Sequence, residues 1–200
     1  MKLLMAGPSP FVRKVLVLLH ETGQVGDVSV EKVVAAPGGA DATLKAANPL
    51  GKIPALLRAS GPTLYDSRVI CRFLDERAAA GLYPAGDYDV LILEATADGI
   101  MEAAVLMVYE KRFRAEAQQS PDWIEGQWDK VAGGLDSLEQ RWMSHLQRPL
   151  DIGQIAVACA LGYLDLRHDA RGWRTGRPAL AAWFEKFSAR ASMQATLPEN

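Results

Sequence analysis

The 200-residue sequence has few cysteines and histidines and no long apolar run. Its two cysteines, Cys71 and Cys159, stand 88 positions apart, and its three histidines are scattered, so their spacing offers neither a metal cluster nor a disulfide framework. No run of about 18 apolar residues predicts a membrane span, and the apolar run at the start is too short for a signal peptide. We therefore expect a cytoplasmic protein that holds no metal.

The sequence also lacks a charge excess of either sign. Lysine and arginine number 22 against 24 for aspartate and glutamate, a formal net charge of −2. A general nucleic-acid binder should carry a basic excess, so this class of partner is not expected. The composition is 49% hydrophobic and 23% charged, which is typical of a globular protein.

The first 80 residues alternate between strand and helix signals. Ser9 and Pro10 are typical of the cap and first turn of a helix, and Asp66 with Ser67 opens another. The patterns predict strands at 2–5, 28–34, 53–57 and 63–65, with helices at 10–23 and 68–79. This order predicts a mixed four-stranded sheet with helices against it.

Strand signals end after a linker at 81–87, and residues 88–200 read as an all-helical domain. Asp151, followed three residues later by Gln154, resembles a capping box at the start of a buried helix. Leu150 and Ile155 are spaced for the accompanying hydrophobic staple.

Four motifs in order resemble the glutathione S-transferase family. They are Ser-Pro-Phe-Val-Arg-Lys-Val at 9–15, Asn-Pro-Leu-Gly-Lys-Ile-Pro at 48–54, Asp-Ser at 66–67 and Ile-Ala-Val-Ala at 155–158. Each motif alone is weak, but the set covers essentially the whole chain. The sequence is most similar to serine-type bacterial transferases and also to the plant tau group.

The resemblance implies a fold, an activity and partners. Residues 1–80 would form a thioredoxin-like domain that binds glutathione, and residues 88–200 a helical domain that receives a hydrophobic electrophile. Conjugation of the glutathione thiolate to that electrophile, a detoxification reaction, would need no cofactor beyond glutathione as co-substrate. A homodimer is expected, with no nucleic-acid or membrane partner. The alternatives are a non-catalytic glutathione-binding or regulatory protein and a glutathione-dependent peroxidase.

Ser9 is the candidate catalytic residue. As a plain N-cap it would only stabilise its helix. As the family's serine it would donate a hydrogen bond to the glutathione sulfur, at a helix N-terminus that favours a thiolate. Some relatives carry cysteine here, so serine argues against thiol exchange through a mixed disulfide with the protein.

The resemblance assigns further residues to glutathione. The Ile53–Pro54 peptide bond would be cis, whereas most X–Pro bonds are trans. The backbone of Ile53 would pair with the cysteinyl part of glutathione. Asp66 and Ser67 would hold the γ-glutamyl group or simply cap a helix. The other expected contacts to glutathione are Phe11 and Lys52, of which Lys52 could equally be a solvated surface lysine. Met101, Val105 and Tyr109 are expected in the electrophile pocket, where some of these could be core residues instead.

Overall fold

The computed structural model describes residues 1–198. The chain divides into two compact units, one comprising Met1–Pro84 with residues 191–198, the other Ala85–Arg190. Among residues 1–198, no helix is both long and apolar enough to cross a bilayer. The domain boundaries expected from the sequence remain a proposal.

The first unit combines strands with helices, and the second is helical. In chain order the elements are β1 (Lys2–Met5), α1 (Pro10–Glu21), β2 (Ser29–Lys32), α2 (Ala42–Ala47), β3 (Ala55–Leu57), α3 (Ser67–Ala78), α4 (Tyr88–Phe113), α5 (Pro121–Ser137), α6 (Met143–Leu146), α7 (Ile152–His168), α8 (Pro178–Ser188) and α9 (Ala191–Ala195). A π-helical turn, Leu138–Trp142, joins α5 to α6.

The sheet has the strand order β2-β1-β3. β1 pairs in parallel with β2, with Leu3 opposite Val30, so a crossover is required and α1 supplies it. β1 pairs antiparallel with β3, with Leu4 opposite Ala55. The carboxyl end of β1 therefore lies beside the amino end of β3.

The prediction of a fourth strand at 63–65 is wrong about the length of that strand. Only Leu64 pairs, through two hydrogen bonds with Leu56 of 2.9 and 3.0 Å. Pro62 before it has no N–H to donate, and Asp66 after it already caps α3. The segment between them is too short for a ladder, so a three-stranded sheet with one added bridge replaces the four-stranded sheet.

Side chains alternate between the two faces of the sheet, and both faces are buried. Leu4 and Ala55 pack with Leu44 of α2 in one apolar cluster. Leu3 and Leu56, on the opposite face, are also fully buried. Burial on both faces explains why β1 reads as a continuous apolar run rather than an alternating one.

The second unit is built on close contact between α4 and α7. A Cβ added to Gly153 would lie 2.9–3.0 Å from the Leu93 side chain, so a side chain there would clash. Further along, His168 of α7 hydrogen-bonds the carbonyl of Ala104 in α4 at 2.9 Å. These two contacts show that α4 and α7 run in the same direction. Residues 151–160 are all buried, as the sequence predicted for α7.

The predicted capping box at α7 is half formed. Asp151 Oδ1 accepts from the Gln154 N–H at 3.0 Å, as expected. The Gln154 amide does not return to Asp151 but donates to the carbonyls of Arg148 and Pro149 at 3.1 and 3.0 Å. An amide group has two donors, and these loop carbonyls use them. The second Asp151 oxygen instead bonds His145 Nε2 at 2.8 Å.

Asp151→Ala should therefore destabilise the protein more than loss of a simple cap. Losing the cap costs about 0.5–2 kcal/mol, and leaving the buried His145 N–H unsatisfied adds about 1–3 kcal/mol. We expect a total loss of about 1.5–5 kcal/mol in the free energy of unfolding measured with urea. Ser120→Ala, at the exposed cap of α5, is the matched control and should cost about 0.5–2 kcal/mol. Equal losses from the two variants would contradict the role of His145.

Candidate functional site

The pairing of the strands brings the predicted glutathione residues to one edge of the sheet. Ser9 follows the carboxyl end of β1, and Pro54 precedes the amino end of β3 beside it. The bridge between Leu56 and Leu64 returns the chain antiparallel to β3, so Asp66 reaches the same edge. The N-termini of α1 and α3 thus meet there. Helix N-termini concentrate unpaired N–H donors and favour anions.

Ser9 is half-buried and caps α1. Its Oγ accepts from the Val12 N–H at 3.3 Å, so the cap predicted from the sequence is present. A hydroxyl has one donor and two acceptor positions. Among residues 1–198 the Ser9 hydroxyl donates to no acceptor. Capping therefore leaves the donor of Ser9 available to a ligand.

The Ile53–Pro54 peptide bond is cis, as the resemblance implied. No backbone hydrogen bond joins Ile53 to another described residue, so its N–H and C=O can pair with an extended peptide. Lys52 is exposed, and its carbonyl accepts from the Asn48 amide at 2.8 Å.

Asp66 and Ser67 divide the roles at the N-terminus of α3. Asp66 is exposed and caps the helix by accepting from the Arg68 N–H at 3.0 Å. Ser67 is only 2% exposed, yet within residues 1–198 its hydroxyl makes no hydrogen bond. The buried hydroxyls of Ser192 and Thr196, in contrast, both donate. The Ser67 hydroxyl lies at the start of α3 with its hydrogen-bonding capacity unused, which makes Ser67 a candidate ligand contact.

Two neighbours of Ser9 on α1 differ in environment. Phe11 is half-buried. Arg13 is 8% exposed and donates from Nη2 to the Met193 carbonyl of α9 at 3.1 Å. This contact ties α9 to α1, so Arg13 has a structural role within this unit.

The expected electrophile residues on α4 are not equivalent. Met101 is fully buried, so the core role that the sequence left open fits it. Val105 and Tyr109 are half-buried. Burial raises the pKa of Tyr109, against a smaller opposing effect of Arg112, so the phenol stays protonated at neutral pH.

A cavity of about 280 Å³ lies between the C-terminal ends of α4 and α7. Its lining residues are Met107, Val108, Lys111, Arg112, Arg167 and His168. Contact between residues this far apart along the chain leaves no local signal in the sequence. In the described part of the chain, no cluster of three histidine, cysteine or carboxylate side chains is placed to hold a metal.

Both halves of the chain match known sequence families. Residues 8–77 match the glutathione S-transferase N-terminal domain, and residues 121–186 match the glutathione S-transferase C-terminal domain. Together the two matches span more than half of the chain, which belongs to the glutathione S-transferase family. The expected thioredoxin-like domain with a small sheet, followed by a helical domain, is thereby confirmed.

Relatives extend this similarity over nearly the whole chain. The uncharacterized GST-like protein YibF of Escherichia coli (strain K12) is 36% identical over 204 residues, 99% of this chain and 98% of that protein. A glutathione transferase family member from Pseudomonas fluorescens Pf-5, solved with bound glutathione, is 46% identical with a TM-score of 0.97, covering 100% and 99% of the two chains. A glutathione S-transferase from Methylobacillus flagellatus KT, solved with glutathione bound, is 37% identical with a TM-score of 0.86, covering 99% of each.

His168, beside the cavity, should make stability depend on pH. Desolvation lowers its pKa from the usual 6.5, against a smaller opposing effect of the hydrogen bond to the Ala104 carbonyl, and nearby cations lower the pKa further. The unfolded chain therefore binds this proton first as the pH falls, so the stability contribution is lost below about pH 6.5 and is complete above it. His168→Gln should shrink the fall in unfolding midpoint between pH 7 and pH 5 in urea. An identical fall in the two proteins would contradict this.

Proposed function

We propose that this protein is a serine-type glutathione transferase, which conjugates the glutathione thiolate to a hydrophobic electrophile. One observation carries the proposal. At the sheet edge where the N-termini of α1 and α3 meet, the Ser9 hydroxyl has an unused donor, and the Ser67 hydroxyl makes no hydrogen bond within residues 1–198. The glutathione bound in two solved relatives supports the same assignment.

The proposed glutathione contacts follow from these groups. The Ser67 hydroxyl and N–H receive the γ-glutamyl carboxylate at the α3 N-terminus, and Asp66 faces the γ-glutamyl ammonium. Ile53 pairs its backbone with the cysteinyl part. Phe11 and the exposed Lys52 complete the set, Lys52 facing a glutathione carboxylate.

The reaction transfers sulfur to carbon without redox change. The thiol proton of glutathione passes to solvent, and the thiolate electron pair forms the new S–C bond. With an aryl halide, the halide leaves with its bonding pair. Ser9 donates a hydrogen bond to the thiolate and does not itself attack, because no described histidine or carboxylate accepts from its hydroxyl to act as a base. Val105 and Tyr109 are proposed contacts of the electrophile.

The acidity effect of Ser9 is modest in net terms. A hydrogen bond to a charged sulfur is worth about 1.5–3 kcal/mol, which lowers the thiol pKa by roughly 1–2 units from about 8.5. A shift of about 2 units raises the thiolate fraction at pH 7 about 25-fold, while lower nucleophilicity removes about 8-fold. The remaining gain is about 3-fold, so most of the catalysis must come from positioning the two reactants.

Ser9→Ala should lower turnover at pH 7 by about 3- to 30-fold, the upper end including lost positioning of the sulfur. The defect should shrink by about pH 9, where the unassisted thiol is largely ionised. A pH–rate profile with a chromogenic aryl halide measures both effects.

Ser120→Ala is the matched control for this experiment. Ser120 also precedes a proline, and its Oγ accepts from the Trp123 N–H at 3.3 Å, the same capping geometry as Ser9. Its loss should reduce stability and leave turnover unchanged. Full activity of Ser9→Ala at pH 7, or a defect constant to pH 9, would reject Ser9 as the thiolate-stabilising group.

Retention on glutathione resin separates the alternatives. Retention without turnover of several electrophiles or of a hydroperoxide would indicate a binding or regulatory role. Turnover of the hydroperoxide alone would indicate a peroxidase, which uses the same thiolate with another acceptor. Failure to bind glutathione would exclude all three functions: the transferase, the peroxidase and the binding or regulatory role.

We further propose that the protein is a homodimer. The family resemblance supports this, and so do large apolar side chains left exposed in each unit, including Leu50 at 69% and Ile92 at 50%. Sedimentation at micromolar concentration should give about twice the chain mass of 21.7 kDa. A monomer at that concentration would contradict the proposal.

A further inference from the structure

The cavity between α4 and α7 has an apolar part and a cationic part. Met107 and Val108 supply the apolar surface. Lys111, Arg112 and Arg167 are exposed at its margin, and among residues 1–198 none of the three has a carboxylate within ion-pair distance. Arg112 lies over the Phe113 ring, 5.4 Å from its centroid, an interaction that leaves its charge uncompensated.

Two carboxylates on adjacent segments, Glu110 and Glu125, are engaged with other groups, whereas Glu116 and Asp169 are exposed and form no ion pair within residues 1–198. Glu125 forms two hydrogen bonds with Arg171, at 2.7 and 2.5 Å. Glu110 pairs with Arg114 at 3.0 Å and accepts from the Ser120 N–H at 3.0 Å. The three cations that line the cavity are therefore left without an ion-pair partner among the described residues, in a chain whose formal net charge is −2.

Helix ends explain part of this pattern but not all of it. Lys111, Arg112 and Arg167 lie in last turns of helices, where cations offset the negative end of the helix dipole. At α4, however, the Gln119 amide already donates to the carbonyls of Lys111 and Arg114, each at 3.2 Å. The dipole also gives no reason for an apolar recess between the cations.

We propose that this cavity binds a small apolar molecule bearing a carboxylate, with the methionine and valine holding its apolar body and the three cations facing its charge. The volume of about 280 Å³ is just below the range of about 300–1,000 Å³ usual for small-molecule sites, which fits a ligand of one or two rings. Identification of such a ligand as the electrophile rests on the proposed function, whereas the binding site itself does not.

Calorimetric titration without glutathione tests the site independently of conjugation. The probes are 2-naphthoate and its neutral analogue 2-naphthylmethanol, which share the ring system. Naphthoate should bind at least about 5-fold more tightly, and its affinity should fall with added salt. Arg167→Gln should weaken naphthoate by about 2- to 5-fold and leave the neutral analogue unchanged.

Arg141→Gln is the matched control, because it removes the same charge from an exposed position that does not line the cavity. It should leave both affinities unchanged. Equal binding of the two probes, no binding of naphthoate at millimolar concentration, or equal effects of the two arginine variants would overturn the proposal. Since glutathione is absent, loss of conjugation in a separate assay would defeat the proposed function and leave this result standing.

Discussion

The antiparallel pairing of β3 with β1 is the constraint on which the candidate site depends. It places the carboxyl end of one strand beside the amino end of the other, so two segments separated by about 45 residues, ending in Ser9 and beginning at Pro54, share an edge. The single bridge at Leu64 then brings the start of α3 to the same place. A parallel β3 would have carried Pro54 to the opposite edge, and no glutathione-sized ligand could have reached both.

At that edge the same physical property serves folding and chemistry. Unpaired N–H groups at the starts of α1 and α3 require acceptors, and both a capping side chain and an anionic ligand can supply them. Ser9 meets the folding requirement with its lone pairs and keeps its proton. Asp66 caps α3 from outside, which leaves the buried Ser67 hydroxyl for a ligand. The two roles therefore do not compete.

Sequence reasoning succeeded where the determinants are local. The caps at Ser9, Asp66 and Asp151 depend on a few adjacent residues, and each is present in the structure. It failed where the partner depends on the path of a loop. His145 meets Asp151, six residues later, because the loop between α6 and α7 brings the two side chains together, and the Gln154 amide reaches carbonyls of that same loop. The strand ladder expected at 63–65 is also missing because of the flanking residues Pro62 and Asp66, not because of the β propensity of the segment itself.

The central claim is that the Ser9 hydroxyl stabilises a thiolate at the start of α1. Ultraviolet absorbance of the thiolate, followed against pH for glutathione bound to the wild type and to Ser9→Ala, measures this without any second substrate. The account predicts a thiol pKa about 1–2 units higher in the variant, because one hydrogen bond to the charged sulfur is lost. Identical thiol pKa values in the two complexes would contradict it.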